Sequence, residues 1–404
     1  MGLTQPREGG RDHRVLAIYL ITGLAFGSAG ARLLAIPLYA DQLGASRGEI
    51  GLLFSTFTVT AALLSIPAGL LADRFGRRNL VVFSLLSLGS SQLMAGLTQD
   101  IHVVFVSQLL GGIGGGASQT ALMAALADRV PMERMGRSMG WFTLSMQTGF
   151  LAGPAVAGIL LRWLSLEQDL LVTTIPVGLA LVLAFWMSGT ERRLEVSLEL
   201  MRPLRGLAAQ RGFVGLVLAL LAATVLWGTY QAYIPIFGKR GLGLDGTMVG
   251  YLLAIQAVAN GVTRVPAGRL LDRVRRKGLV VAATVTGFAA GLVVLPHLHG
   301  FWIPTLLLLL TVPMIATAFI AIGITFVQMA TAESRGAVMG VYSTVLFLGL
   351  GAGPAIFAPV MNRSYLLGFT ACGIAGAVLA GVSLIARTEP IRRRRAAVVL
   401  PPTP

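Results

Sequence analysis

The sequence predicts an all-α membrane protein, with twelve transmembrane helices in two pseudo-symmetric six-helix bundles. Three observations carry this. Hydrophobic residues make up 55% of the 404 and charged residues only 12%, about half the charged share of a soluble domain. The apolar residues gather in runs long enough to cross a ~30 Å hydrocarbon core, which takes about 20 helical residues. Two motifs of the first half also recur, in order, in the second. Lipid cannot satisfy exposed backbone groups, so spans must be helices or a closed barrel. Unbroken apolar runs without period-two alternation select helices.

Span 1 (15–40) follows MGLTQPREGGRDHR, which has the basic character of a signal-peptide start. The apolar run is too long for a signal core and Arg32 interrupts it, so it is read as a retained span. Span 2 (48–72) runs into GLLADRFGRR (69–78), and span 3 (78–97) leaves from it. Span 4 (101–127) contains GGIGGGAS (111–118), and span 5 (138–163) contains GWFTLSMQTGFLAGPAVAG (140–158). Span 6 is placed at 169–188. The charged stretch TERRLEVSLELMRPLRGLAAQRG then separates it from span 7 (212–237). Span 8 (246–270) ends in GRLLDRVRRK (268–277), followed by span 9 (278–296) and span 10 (302–328). Span 11 (336–361) contains GVYSTVLFLGLGAGPAIFA (340–358), and span 12 (365–386) holds the single cysteine, Cys372.

Arginine and lysine number 32. Loops on the amino-terminal side of span 1 hold 25 of them and the opposite loops five: Arg47, Arg162, Lys239, Arg240 and Arg363. That bias predicts both termini in the cytoplasm. It accounts for the +15 net charge without a nucleic-acid partner, and the basic loops are expected to touch anionic lipid. One cysteine excludes an internal disulfide and a thiolate metal cluster, and His13, His102, His297 and His299 stand at loops or span ends. No phosphate-binding glycine loop with a lysine, no metal-ligand spacing and no nucleophile–base pair occurs, so neither enzyme chemistry nor a cofactor or metal is expected.

The internal duplication is explicit. Gly69, Asp73, Arg74, Arg77 and Arg78 align with Gly268, Asp272, Arg273, Arg276 and Lys277 at an offset of 199. Gly140, Gly149, Gly153 and Pro154 align with Gly340, Gly349, Gly353 and Pro354 at an offset of 200. The expected organisation is a tail (1–14), a first bundle (15–189), a linker (190–211), a second bundle (212–387) and a basic tail (388–404). Parallel repeats around a central site suit a secondary transporter that works by alternating access.

On these residues the chain resembles a twelve-span major facilitator superfamily transporter, over nearly all its length. GLLADRFGRR is similar to that family's loop motif G-x-x-x-D-R-x-G-R-R at every defined position, Gly76 included. GWFTLSMQTGFLAGPAVAG resembles the fifth-span antiporter motif, with Gly158 in place and Ala157 replacing the glycine before it. The second likeness points toward drug and metabolite exporters. The resemblance implies a latch in which Asp73 docks on the amino end of span 11, and the pseudo-symmetry of the repeat would then set Asp272 against the start of span 5. A helix amino terminus attracts a carboxylate by roughly 0.3–2 kcal/mol. The latch would be closed when the pore faces outward.

The resemblance also implies a central cavity lined by spans 1, 4, 7 and 10, helped by 2, 5, 8 and 11. Polar residues on these spans are Arg32, Gln108, Gln119, Gln147, Tyr230, Gln231, Gln256, Asn260, Gln328 and Tyr342. Arg32 and Tyr230 occupy equivalent places in the repeat, and are expected either to face each other or, for Arg32, to snorkel outward. Arg264, inside span 8, is expected to snorkel to the cytoplasmic surface. Two departures count against simple proton antiport. No acid lies mid-span, and the family's span 4 motif R-x-x-Q-G-x-G reads QLLGGIG (108–114), with Gln108 at the arginine position and Gly111 at the glutamine position. Coupling through Asp41, Glu49 or Asp128 stays open.

A membrane protein without transport activity, such as a sensor or assembly partner, is opposed by the intact loop motif and the doubled glycine motifs, and two transport functions compete. One is a gradient-driven efflux antiporter for small amphipathic molecules. The other is a carrier of an organic or lipid-like anion with Arg32 as counter-charge. In either case the protein is expected to be a monomer in a bacterial inner membrane.

Overall fold

A computed structural model describes residues 9–131, 135–187, 212–274, 276–329 and 335–385. Residues 1–8, 132–134, 188–211, 275, 330–334 and 386–404 lie outside them. Among the described residues, twelve helices are long and apolar enough to cross a membrane.

Helix ends depart from the apolar runs where capping chemistry decides them. Span 1 is helical from Gly9 to Gln42, because Arg11, Asp12, His13 and Arg14 continue the helix beyond its apolar length. Span 2 (Arg47–Phe75) is opened by Ser46 and Glu49, whose side chains each bond the other's backbone N–H. Span 6 starts three residues before the expected point, at Leu166, because Ser165 and Gln168 form the same reciprocal cap. It is also broken, into Leu166–Val172 and Thr174–Phe185. Pro176 lacks the N–H that would reach the Val172 carbonyl one turn earlier.

The remaining spans are Arg77–Leu97, Ile101–Ala127 and Met135–Leu160 in the first half. In the second half they are Phe213–Arg240, Gly246–Arg273, Lys277–Val294, Trp302–Met329, Arg335–Arg363 and Tyr365–Ile385. Prolines recur through the repeat, with Pro37, Pro67 and Pro154 answered by Pro235, Pro266 and Pro354.

Within the first six spans, 1 packs on 5, 2 on 4 and 3 on 4. Within the last six, 7 packs on 11 and 12, and 9 on 12. The two sets meet chiefly through span 2 against span 11 and span 5 against span 8, with span 1 against span 7 at the centre. Below, the near face is the one where span 1 begins and span 12 ends; the far face is opposite.

Candidate functional site

The charged loop is one residue long. Span 2 ends at Phe75 and span 3 begins at Arg77, with Gly76 between them at φ 87° and ψ 144°. Only glycine adopts that conformation without strain, so the motif's central glycine is a backbone requirement. Arg77 Nε bonds Asp128 Oδ2 at 3.2 Å, tying the loop to the end of span 4. Arg78 lies 5.8 Å from the Phe185 ring centroid, and Arg74 is exposed beside Phe75. Arg273, its counterpart in the second half, is exposed as well. The Asp73 and Asp272 side chains, and that of Gly69's neighbourhood, lie outside the described ones.

The glycine motif joins span 5 to span 1. A Cβ built on Gly149 would lie 2.5 Å from the Gly23 carbonyl oxygen, and one on Gly153 would lie 2.2 Å from that of Gly27. Backbone therefore meets backbone, the contact that small residues permit in lipid. The repeat does the same in the second half, where Gly353 closes on the Val225 carbonyl oxygen of span 7. Gly158 has a different partner. Its Cβ would fall 2.6 Å from Gly250 Cα, on span 8 of the other half. Gly140 has open space around it.

The halves are joined on the far face. Asp41, 7% exposed, takes Lys239 Nζ at 3.0 Å and also pairs with Arg240. Gly48 N donates to Asn362 Oδ1 at 2.6 Å, Arg47 Nη1 to the Met361 carbonyl at 3.3 Å and Ser55 Oγ to the Gly351 carbonyl at 2.7 Å. Arg162 Nη2 donates to Tyr251 Oη at 2.6 Å. These contacts between described residues of the two halves lie in the far portion, and Arg264–Gln147 lies deeper in the membrane. Toward the near face, span 8 is exposed at Gly261, Val262, Val265, Pro266, Arg269 and Leu270, with only Ala267 buried among 261–270.

Arg32 does not snorkel, and it does not face Tyr230. Its Nη1 donates to Ser91 Oγ at 2.9 Å and its Nη2 to Gln108 Oε1 at 2.8 Å, with the Phe57 ring 5.0 Å away. Gly111 makes room, since a Cβ there would sit 2.6 Å from Nη1. The guanidinium expected on span 4 at position 108 thus arrives from span 1 instead. Tyr230 turns into its own half, where it donates to Gln256 Oε1 and stacks on Trp227, with centroids 5.3 Å apart. Gln256 Nε2 reaches Gln231 at 3.5 Å. Gln119 and Tyr342 are half-buried, while Gln328 is exposed near the end of span 10.

Arg264 also departs from expectation. Its Nε donates to Asn260 Oδ1 at 3.2 Å. With the Gln147 amide turned so that its oxygen faces the guanidinium, Gln147 accepts from Nε at 3.0 Å and Nη1 at 3.1 Å. This arginine bridges spans 5 and 8. Sequence reasoning missed it by treating position alone as decisive. The Asp41 clamp was missed too, although the repeat contains its signal: aligning AIP (35–37) with YIP (233–235) puts Asp41 opposite Lys239.

Twelve spans in two repeated sets, meeting at a polar seam closed on one face, define a membrane carrier. A profile of the Major Facilitator Superfamily matches residues 18–354, and the chain belongs to that family. It is therefore an integral membrane transporter and not an enzyme. It is 22% identical over 393 residues to Multidrug resistance protein 2 of Bacillus subtilis (strain 168), covering 93% of this chain and 96% of that protein. It is 24% identical over 149 residues to the Quinolone resistance protein NorA of Staphylococcus aureus, 37% of this chain and 38% of that one. Among solved structures, the nucleoside transporter NupG superposes with TM-score 0.76 at 14% identity, over 93% of this chain and 100% of that chain. A bacterial homologue of the lysosomal transporter Spinster, in an inward-facing, unoccupied conformation, gives 0.75 at 14% identity, over 95% and 97%.

Proposed function

We propose that this chain exports small amphipathic compounds by alternating access between two bundles, 15–189 and 212–387, joined by the 190–211 linker. A transmembrane proton or ion gradient drives it, and it works as a monomer in a bacterial inner membrane with both ends in the cytoplasm. The single observation that carries the reading is the asymmetry of the seam. The far face is clamped by Asp41, Lys239 and Arg240 and by the Gly158–Gly250 crossing, while nearer the other face the described contact across the seam is Arg264 with Gln147. With the near face in the cytoplasm, that arrangement accepts cargo from inside. The curated relatives named for drug resistance favour export over uptake.

In the same reading Asp73 closes the near face in the opposite state, with Gly69, Arg74, Gly76, Arg77 and Arg78 shaping its loop. Coupling of ~1–3 kcal/mol between such a contact and cargo binding is enough to bias a two-state carrier.

The test is accumulation of a panel of acidic, neutral and basic fluorescent amphipaths in an efflux-deficient bacterium expressing the chain. At least one class should accumulate several-fold less, and a protonophore should abolish the difference. Accumulation equal to that of empty cells for every class, with the protein in the membrane, would remove the export reading.

A further inference from the structure

We infer that Arg264 is the charge-reading residue of the cargo site, and that the cargo carries an acidic group, a carboxylate or phosphate, on an apolar body. The inference rests on the export reading and adds the class of molecule exported.

Arg264 lies within a membrane span, where a guanidinium costs several kcal/mol unless it is paired or hydrated. Among the described residues no carboxylate pairs with it. Its partners are two neutral amide oxygens, of Asn260 on its own span and Gln147 across the seam. Neutral acceptors satisfy N–H groups but leave the charge uncompensated. Arg32 differs in both respects that matter: it is 4% exposed, and its contacts with Ser91, Gln108 and Phe57 all lie inside the first half. Arg264, Gln147, Asn260 and Tyr342 are each only half-buried, so they border the space between halves.

The chemistry of the surround is one-sided. No Asp or Glu occupies the middle of any span; Asp41, Glu49, Asp73, Asp100, Asp128, Glu167, Asp169, Asp245 and Asp272 stand at span ends. A cationic cargo would meet the Arg264 guanidinium and no mid-span carboxylate as counter-charge. An acid would meet a planar fork suited to bidentate pairing. Tyr342, within electrostatic reach of Arg264, adds a hydroxyl donor on a ring packed edge-on against Phe326, with centroids 5.3 Å apart. Beyond pairing, an arriving carboxylate competes with Gln147 for the guanidinium. Since Gln147 is the partner on the other half, cargo binding exchanges a bond across the seam for a bond to cargo.

The experiment uses the purified full chain and a matched pair of probes, 1-naphthoate and 1-naphthylmethylammonium, with lysophosphatidate as a lipid arm. Melting temperature is read against probe concentration. Naphthoate should raise the melting temperature of the wild type and the ammonium should not. Arg264→Gln should weaken the naphthoate response at least tenfold in concentration, and Arg264→Lys should retain part of it. If Arg264→Gln fails to fold, Gln147→Glu decides. It places a carboxylate on Arg264, and should raise the melting temperature without probe while abolishing the naphthoate response. A response to lysophosphatidate alone keeps the acidic site and assigns its cargo to lipid. A naphthoate response unchanged in Arg264→Gln or Gln147→Glu, a stronger response to the ammonium, or no response of wild type to either acid overturns the inference. These outcomes are separable from the export reading. Export of basic dyes by a chain that ignores acids leaves that reading standing. Acid binding without any flux removes the reading and leaves the site.

Discussion

Asp41 on span 1 and Lys239 on span 7 lie 3.0 Å apart, at matching positions of the two repeats. A pseudo-two-fold axis brings equivalent positions of spans 1 and 7 together, so an acid in one repeat and a base in the other become partners across it. Asp41 is buried while both cations are more than 40% exposed. The pair therefore contributes less than a fully buried one, on the order of 1 kcal/mol.

Asp41→Asn should loosen far-face closure. A cysteine placed at Ser55, under the Gly351 carbonyl, in a Cys372→Ala background, should label about fivefold faster, which corresponds to ~1 kcal/mol. Equal labelling rates would show that the clamp does not hold the face shut.

The Arg32–Gln108 contact makes a compensation test possible. Arg32→Gln should cut transport strongly, because it leaves Ser91 and Gln108 without their donor. Adding Gln108→Arg returns the guanidinium to the same space from span 4, toward Gly111, and should restore a substantial part of the flux. No recovery in a correctly inserted double variant would show that the charge must come from span 1.

Two glycine substitutions should separate stability from gating. Gly153→Ala drives a methyl to within 2.2 Å of the Gly27 carbonyl oxygen inside one half, and should destabilise the fold by about 1–3 kcal/mol. Gly250→Val drives a side chain onto Gly158 Cα at the closed far face. It should leave the melting temperature within a few degrees of wild type and cut transport at least tenfold. Spin-label distances across the far ends of spans 5 and 8 should lengthen; unchanged distances would refute this.

Asp73→Asn should lower transport without lowering expression or membrane insertion. Flux equal to wild type would remove the near-face latch from the cycle.

Asp169 is fully buried, and neither carboxyl oxygen has a hydrogen-bond partner. Asp169→Asn removes the possibility of an uncompensated buried charge, so thermal unfolding should show no loss of stability and a gain of up to about 1–3 kcal/mol. A marked loss would reveal a partner that only a carboxyl can serve.

Much of the fold was legible because lipid imposes a length and forbids open backbone. The apolar runs located the spans, and the repeat predicted which helices would be counterparts. Helix ends were less legible: Ser165 with Gln168 moved span 6 by three residues, and Pro176 broke it at Thr173. The site was legible in composition but not in direction. Arg32, Gln108, Tyr230 and Gln256 are all polar and intramembrane, yet each is turned into its own half by partners on neighbouring spans. A one-residue rotation changes which neighbour a side chain meets, and apolar runs polar at only a few positions do not fix that rotation. Arg264 shows the converse. Its distance from the near end of span 8 suggested snorkelling, and only Gln147 on span 5 draws it to the seam.

The Gly158–Gly250 crossing has a mechanical consequence. Where two helices touch through bare backbone, no side chain is lodged in a socket on the opposing surface. Parting them requires no rotamer change and no withdrawal of a knob from its hole. The far end is held by the polar contacts around that crossing, the Asp41 charges together with the Gly48–Asn362, Arg47–Met361 and Ser55–Gly351 bonds. How quickly it swings apart is then governed by how fast water reaches those charges, so opening should slow as solvent viscosity rises.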